Sequence, residues 1–303
     1  ILTKDGRSAE CSRLINSAGL YAGSVKSLVE EHDAKVYPCR GEYYITDKTE
    51  GGLISRAIYP VPPRDGSGLG VHLTPSCNGN ILIGPSADYI SLADDTANTP
   101  EVMSQLKKEA FDLLPALSGT VFIKNYSGNR PKLFKAGGGT SFADFIIEES
   151  SAFPGMINLI GIESPGLTAS PAIARYIIEE FIGRSAELIP NPSFSGNRTG
   201  IKRTARLSDE QLLQLISDNP DYGEIICRCE HISRAEIVQA VNNPLGAVTL
   251  SAVKKRTYSM MGRCQSGFCL PKILKIISEE KKIEPEKILK SSHGSEVITG
   301  RVD

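Results

Sequence analysis

The 303-residue chain reads as an α+β protein, and three observations predict that class. Short β-type runs fill the stretch from about 36 to 135, with a single amphipathic helical segment among them. Two strand–turn–helix pieces flank that stretch. Beyond a polar linker, short helical segments carry two close-set pairs of cysteines.

Each element follows from local pattern. Ile1-Leu2-Thr3-Lys4-Asp5-Gly6-Arg7 reads as a strand entering an Asp-Gly turn, already inside a fold, so a longer parent protein is expected. Cys11–Asn16 continues as a strand, closes on Ser17-Ala18-Gly19 and feeds a helix over about 20–32. Small residues in such a turn let a backbone approach a phosphate or an adenine, although many strand-to-helix turns look alike. Val36–Thr46, Gly52–Val61, Gly68–Thr74 and Asn80–Pro85 are expected strands, and Asn78-Gly79 is a hairpin turn between the last two. Pro100–Leu114 is helical, with Met103, Leu106, Ala110, Leu113 and Leu114 on one face, and Val121–Ser127 is a further strand. Such a block makes a mostly antiparallel sheet that could roof a substrate pocket.

Asn158–Ile162 reads as a buried strand. A glycine/proline turn from Glu163 to Pro171 leads to a helix over about 171–183. The free N–H groups at that helix start favour an anion. Residues 190–205 form a Pro/Ser/Gly/Asn linker, followed by helices over about 208–218, 233–242, 249–257, 268–281 and 285–290.

Composition excludes several classes of partner. Hydrophobic residues make up 40% and charged residues 23%, ordinary for a globular protein large enough for two domains. A formal net charge of −1 gives no reason to expect nucleic acid. No apolar run approaches the roughly 20 residues that span a bilayer. Of the seven cysteines, Cys11, Cys39 and Cys77 are scattered singly, which suits buried fillers in a reducing cytosol better than a disulfide framework.

Four cysteines carry the strongest chemical signal. Cys227-Arg-Cys229 and Cys264-Gln-Ser-Gly-Phe-Cys269 form a C-x-C and a C-x4-C pair at the mouths of predicted helices. Four thiolates at such spacings bind a two-iron, two-sulfur cluster or one zinc ion, and zinc more often uses C-x2-C knuckles. Gly262 and Gly267 would let the backbone bend around inorganic sulfide. Arg228, Arg263 and Lys272 would offset the charge of a cluster, or serve only as solvated surface. Elsewhere, the planar fork of Arg130 suits a phosphate or carboxylate, with Arg40 a second candidate; the alternative for each is an ordinary surface arginine. His72 lies mid-strand, either as a hydrogen-bonded rim residue or as the base that accepts a hydroxyl proton. Tyr43, Tyr44 and Tyr126 could border a pocket.

Several of these stretches together resemble a known family. Ile15-Asn16-Ser17-Ala18-Gly19-Leu20-Tyr21-Ala22 is similar to the NAAG-x-x-A turn of the FAD-dependent D-amino-acid-oxidase-like superfamily. Arg40-Gly41-Glu42-Tyr43-Tyr44, and Val71–Pro75 with Ile83-Gly84-Pro85, resemble substrate-domain strands of its glycerol-3-phosphate and L-2-hydroxyglutarate dehydrogenase branches. Tyr126-Ser127-Gly128-Asn129-Arg130-Pro131 resembles the segment whose arginine holds the substrate's anionic group. Gly161 and Ser164-Pro165-Gly166-Leu167-Thr168 resemble the flavin-side turn. The tail, Cys227, Cys229, Cys264 and Cys269, resembles the bacterioferritin-associated-ferredoxin type of [2Fe-2S] domain appended to anaerobic glycerol-3-phosphate dehydrogenases.

The resemblance implies an α+β fold with remnants of a Rossmann-like FAD domain (1–35 and 141–189), a substrate domain (36–140), a linker (190–205) and an all-helical cluster domain (206–303). It implies catalytic roles for His72, Arg130 and Arg40, and FAD contacts from Ala18, Gly19, Gly161, Ser164, Pro165, Gly166, Leu167 and Thr168. It also implies a small anionic alcohol as substrate and an electron-acceptor protein or quinone-reducing subunit as partner. The expected location is the cytoplasm, or peripherally at the inner face of its membrane. The G-x-G-x-x-G fingerprint has no counterpart, and Gly137-Gly138-Gly139 follows a polar stretch and opens no helix. The main FAD-binding half is therefore expected upstream, and the chain alone is expected to hold FAD weakly and to turn over no substrate.

Overall fold

The computed structural model describes residues 1–62, 69–134 and 143–300. The chain divides into two compact units, Ile1–Pro190 and Asn191–Asp303. Gly137–Gly139 and the first residue of the expected strand Gly68–Thr74 lie outside the described residues. No described helix is long and apolar enough to cross a membrane.

The first unit is organised by two sheets. In chain order its elements are β1 (Leu14–Asn16), α1 (Ala22–Lys26), β2 (Lys35–Thr46), β3 (His72–Pro75), β4 (Ile81–Gly84), β5 (Asp88–Tyr89), α2 (Pro100–Leu113), β6 (Phe122–Phe134), β7 (Ile146–Glu149), β8 (Met156–Ile160) and α3 (Gly166–Ile177). A long antiparallel ladder joins β2 to β6, from Lys35↔Phe134 to Thr46↔Phe122. The other edge of β2 pairs with β4 near Tyr44 and with β5 near Arg40, and β3 pairs with β4 across the Asn78-Gly79 turn. Every pairing in this sheet is antiparallel, as the alternating sequence predicts.

Side-chain alternation gives the sheet two unlike faces. One packs on α2: Leu73, Ile81 and Ile83 meet Met103, Leu106 and Ala110, with Tyr44 and Phe122 against the same cluster. The fully buried Glu42 ties that face to the helix. Its carboxylate accepts from Thr99 N at 2.8 Å and Thr99 Oγ1 at 3.0 Å, at the cap of α2. The expected strand Gly52–Val61 does not form. Residues Lys48–Leu53 wind into a 3-10 turn, because Gly51 lies against the backbone of Gly79 where a side chain has no room, and only Ile58 bridges to Leu73.

The second sheet is mixed. β1 and β8 run parallel with Asn16 opposite Asn158, and β7 pairs antiparallel on the far side of β8. Both parallel strands end at the same edge, so the turns after Asn16 and after Ile160 are neighbours. α1 is shorter than expected: Ser27 Oγ donates to the Gly23 carbonyl at 3.1 Å and the His32 ring lies 2.9 Å from that carbonyl, closing the helix early. α3 starts earlier than expected, with Pro171 inside it. Proline cannot donate to the Leu167 carbonyl, and Ser170 Oγ does so instead at 2.8 Å.

The second unit is helical: α4 (Asp209–Asp218), α5 (Arg234–Val241), α6 (Leu250–Thr257) and α7 (Leu270–Lys281), with a 3-10 turn at Pro285–Lys287 where a last helix was expected. Ser208 and Ser233 cap α4 and α5 with complete capping boxes through Gln211 and Glu236. A small antiparallel ladder of β9 (Ile225–Cys227) and β10 (Ile232–Ser233), not foreseen from the sequence, stands among the helices. Ile237, Val241, Val253, Ile273 and Ile277 form the core.

The sheet-to-helix joint supplies a stability test. Glu42→Ala leaves buried Arg40 without one of its two carboxylates and α2 without its cap partner, and should cost about 3–5 kcal/mol in denaturant unfolding. Leu106→Ala, a pure cavity in the same layer, should cost about 2–5 kcal/mol.

Candidate substrate face and thiolate centre

The face of the sheet turned away from α2 collects polar groups in register. Cys39 pairs with Arg130, Gly41 with Gly128 and Tyr43 with Tyr126, so all six point to this side. His72 pairs with Gly84, whose neighbour in the next strand is Tyr43, so His72 belongs to the same face. The rings of Tyr43 and Tyr126 stack 5.0 Å apart and almost parallel. Burial raises the pKa of both phenols, Tyr126 to about 12, so both stay protonated and uncharged.

Arg130 is held at its tip and incomplete at its root. Nη2 donates to the Ser86 carbonyl at 2.8 Å and to Cys39 Sγ at 3.3 Å, while buried Nε has no partner. Nη2 lies 3.6 Å from where a Gly41 side chain would begin, so the guanidinium leans over the glycine pair toward the tyrosines. Above Gly128 there is open space. Among the described residues Arg130 forms no ion pair and its acceptors are neutral, so its positive charge on this face can attract a ligand anion. At the other end of the face, His72 stacks on Tyr59 at 4.4 Å, and Nδ1 lies 3.1 Å from the Gly70 carbonyl. A carbonyl only accepts, so Nδ1 carries a proton there, and in the neutral ring the lone pair is on Nε2.

Arg40 stands elsewhere. It pairs with Asn129, faces α2, and is 6% exposed between Glu42 at 3.2 Å and Asp95 at 3.1 Å. Its charge is neutralised within the fold, and the structure does not bring it together with Arg130 or His72. Sequence reasoning also missed Lys132, which forms an ion pair with Glu163 and so links β6 to the turn after β8. A lysine two residues beyond Arg130 on the same strand was the available signal.

The expected flavin-side residues gather at the shared edge of β1 and β8. Ala18 and Gly19 follow β1; Gly19 has positive φ, and a side chain there would meet nothing within 4 Å. Gly161 follows β8 with φ +72° and lies so close to Leu133 that a Cβ would come within 2.6 Å of it. Ser164, Pro165, Leu167 and Thr168 are exposed at the start of α3, while Gly166 is pinned against Ile162. Ligands of open α/β sheets bind outside the carboxyl ends of parallel strands, and this edge leaves such room. Beneath it, Asn16 donates to Asn158 Oδ1 at 2.9 Å and to the Ala22 carbonyl at 2.8 Å, fixing the two turns together.

In the second unit the four cysteines converge as two pairs. Cys227 and Cys269, both 1% exposed, interact side chain to side chain, as do Cys229 and Cys264. All are free thiols, and among the described residues no three metal-binding side chains are drawn as tightly as a bound ion would draw them. The surroundings nevertheless suit an anionic centre. Phe268, Ser266 and Gly267 direct backbone N–H groups at Cys264; that of Phe268 does most to hold its thiol below the usual range. Burial pushes the Cys269 thiol up to about 11, with Cys227 adding to the shift, and bound metal reverses that preference by deprotonating its ligands outright. Gly262 lies directly against Cys229, with no space for a side chain. Tyr258, Met260, Gln265 and Ser266 all have positive φ without being glycine, a concentration of strain characteristic of built sites.

This fold and these two sites define a redox protein with a nucleotide-type cofactor edge and a thiolate centre. Residues 1–180 match the family model "FAD dependent oxidoreductase", and residues 225–279 match "BFD-like [2Fe-2S] binding domain". The chain belongs to the FAD-dependent oxidoreductase family and carries a BFD-like domain, and FAD and a [2Fe-2S] cluster are the cofactors these matches indicate. A glycerol 3-phosphate dehydrogenase of Caloramator mitchellensis is 37% identical over 289 residues, covering 95% of this chain and 58% of that protein. The mitochondrial L-2-hydroxyglutarate dehydrogenase of Arabidopsis thaliana is 35% identical over 184 residues, covering 56% of this chain and 37% of that protein. Among solved structures, glycine oxidase from Bacillus cereus ATCC 14579 aligns with TM-score 0.50 at 19% identity, over 61% of this chain and 46% of that one, a likeness of fold.

The tight seat of Gly262 can be tested directly. Gly262→Ala should displace Cys229 and lower iron and sulfide content several-fold. The far-UV circular dichroism should stay unchanged, because Gly262 lies in no helix.

Proposed function

We propose that the chain supplies the substrate face and the electron exit of an FAD-dependent dehydrogenase oxidising sn-glycerol 3-phosphate to dihydroxyacetone phosphate. The observation that carries this reading is Arg130, a cation held only by neutral acceptors on the glycine- and tyrosine-bearing face of the sheet. When bound, the flavin supplies a hydride acceptor and the [2Fe-2S] cluster a one-electron relay. The protein's own groups do the rest. Arg130 holds the phosphate. The Tyr43–Tyr126 stack excludes water between the anion and His72. Nε2 of His72 takes the proton of the hydroxyl being oxidised. Ala18, Gly19, Gly161 and the start of α3 seat the flavin edge, with the helix N–H groups favouring negative charge there. Cys227, Cys229, Cys264 and Cys269 would hold the cluster, which would supply a one-electron exit toward an acceptor protein or a quinone-reducing subunit.

A 2-hydroxy acid would offer Arg130 a carboxylate in place of a phosphate, and the plant relative is named for such a substrate. The phosphate ester is preferred because the relative named for it matches through the cysteine-bearing tail as well.

In full-length, flavin-loaded protein, Arg130→Ala should lower kcat/KM for sn-glycerol 3-phosphate by roughly thirtyfold or more, and Arg130→Lys should recover little without the bidentate fork. His72→Gln should reduce kcat by about a hundredfold or more. Turnover of L-2-hydroxyglutarate with none of glycerol 3-phosphate would overturn the substrate assignment. For the tail, anaerobically prepared protein should contain iron and acid-labile sulfide at about two each per chain. Zinc near one, without sulfide, would remove the electron-exit role.

A further inference from the structure

We propose that the C-terminal unit binds a small phosphate-bearing anion in a cleft walled by Arg198, Arg203 and Arg256. The cleft encloses about 630 Å³, within the range of small-molecule sites, and none of the four cluster cysteines lines it. Its other polar walls are Gln239, Asn242 and Asn243, at the end of α5 and just beyond. Among the described residues no aspartate or glutamate lines it, and Glu280 stands behind the wall, accepting from Asn242 Nδ2 at 2.6 Å. The imbalance is present in the sequence: residues 190–206 include Arg198, Lys202, Arg203 and Arg206 and no acidic residue, and α6 ends in Lys254-Lys255-Arg256-Thr257.

Two of the cations are fixed in place by neutral groups. Arg203 donates from Nη1 to the Thr257 carbonyl at 2.7 Å and from Nη2 to the Arg256 carbonyl at 2.5 Å, at the end of α6. Its guanidinium lies 5.2 Å from the centre of the Tyr258 ring. Arg256 Nη1 donates to the Ala252 carbonyl at 3.2 Å. Helix-end carbonyls and a ring face attract cations, and so hold the two guanidinium groups beside one cleft. Among the described residues none of the three arginines forms an ion pair. Like charges gathered without a counter-charge repel, here with Arg198 exposed and Arg203 and Arg256 half-buried. Stitching the linker to α6 accounts for Arg203 alone; it leaves Arg198 and Arg256 without a reason to face the same cleft. A multivalent anion supplies that reason, since guanidinium forks match phosphate oxygens bidentately. Asn243 adds a neutral donor: its Oδ1 accepts from Leu245 N at 3.0 Å, which leaves its NH₂ for a ligand. The site does not depend on the oxidoreductase reading.

Isothermal titration of the full chain with inorganic pyrophosphate, at constant ionic strength, tests the assignment. Saturable one-to-one binding is expected, and it should weaken by about tenfold or more in Arg198→Gln/Arg256→Gln. Asn243→Asp retains every arginine and places a carboxylate in the cleft; it should weaken binding as strongly, and it decides the matter where the double variant fails to fold. Lys275→Gln, on the exposed side of α7, should bind as the parent does. Absence of saturable binding, or an affinity unchanged by Asn243→Asp, would overturn the proposal.

Discussion

The ladder between β2 and β6 is the constraint on which the first unit depends. Its register sorts side chains by parity: Arg40, Glu42 and Tyr44 go to α2, while Cys39, Gly41 and Tyr43 go to the open face. A slip of one residue would carry Arg130 into the layer packed on α2 and bring Asn129 out in its place. Glu42 opposes such a slip, because its buried carboxylate is committed to Thr99 at the cap of α2 and to Arg40. The chemistry of the open face is thus secured by polar contacts made on the closed one.

What was legible in the sequence was what local physics decides. β2, the Asn78-Gly79 turn and α2 were visible because alternation, turn chemistry and helical spacing all act within a dozen residues. The full length of β6 was not visible, since Pro131 reads as the end of a strand. It is tolerated because, among the described residues, β6 pairs with β2 alone and its outer edge carries no ladder bonds. The parallel contact between β1 and β8 joins distant segments, and no local pattern announces it. Without it, Ala18-Gly19 and Ser164–Thr168 are two unrelated turns; with it, they form one edge. The misplacement of Arg40 was avoidable. Arg40-x-Glu42 within a strand puts opposite charges on one face, which predicts an internal ion pair.

The thiolate centre shows the complementary case. Cysteine spacing made the ligands plain, and Gly262 was expected to let the backbone close in, as it does against Cys229. The left-handed conformations of Tyr258, Met260, Gln265 and Ser266 had no sequence signal, because none is glycine. Each costs on the order of 1–2 kcal/mol. Ser266 and Met260 turn their N–H groups toward Cys264 and Cys269, while Tyr258 closes α6 on the Lys254 carbonyl and Gln265 turns back on Gly262.

The two arginines of the β2–β6 ladder sharpen the distinction between structure and site. They stand on adjacent strands, one residue out of register, and differ in how they are satisfied. Arg40 has two carboxylates and is closed off from solvent. Arg130 has only a carbonyl and a thiol, both neutral, and Nε of each arginine lacks a hydrogen bond among the described residues. A fold able to supply carboxylates to one arginine and only neutral acceptors to the other has a reason for the difference. That reason is a ligand which brings its own negative charge, and a carboxylate placed beside Arg130 would exclude it by repulsion.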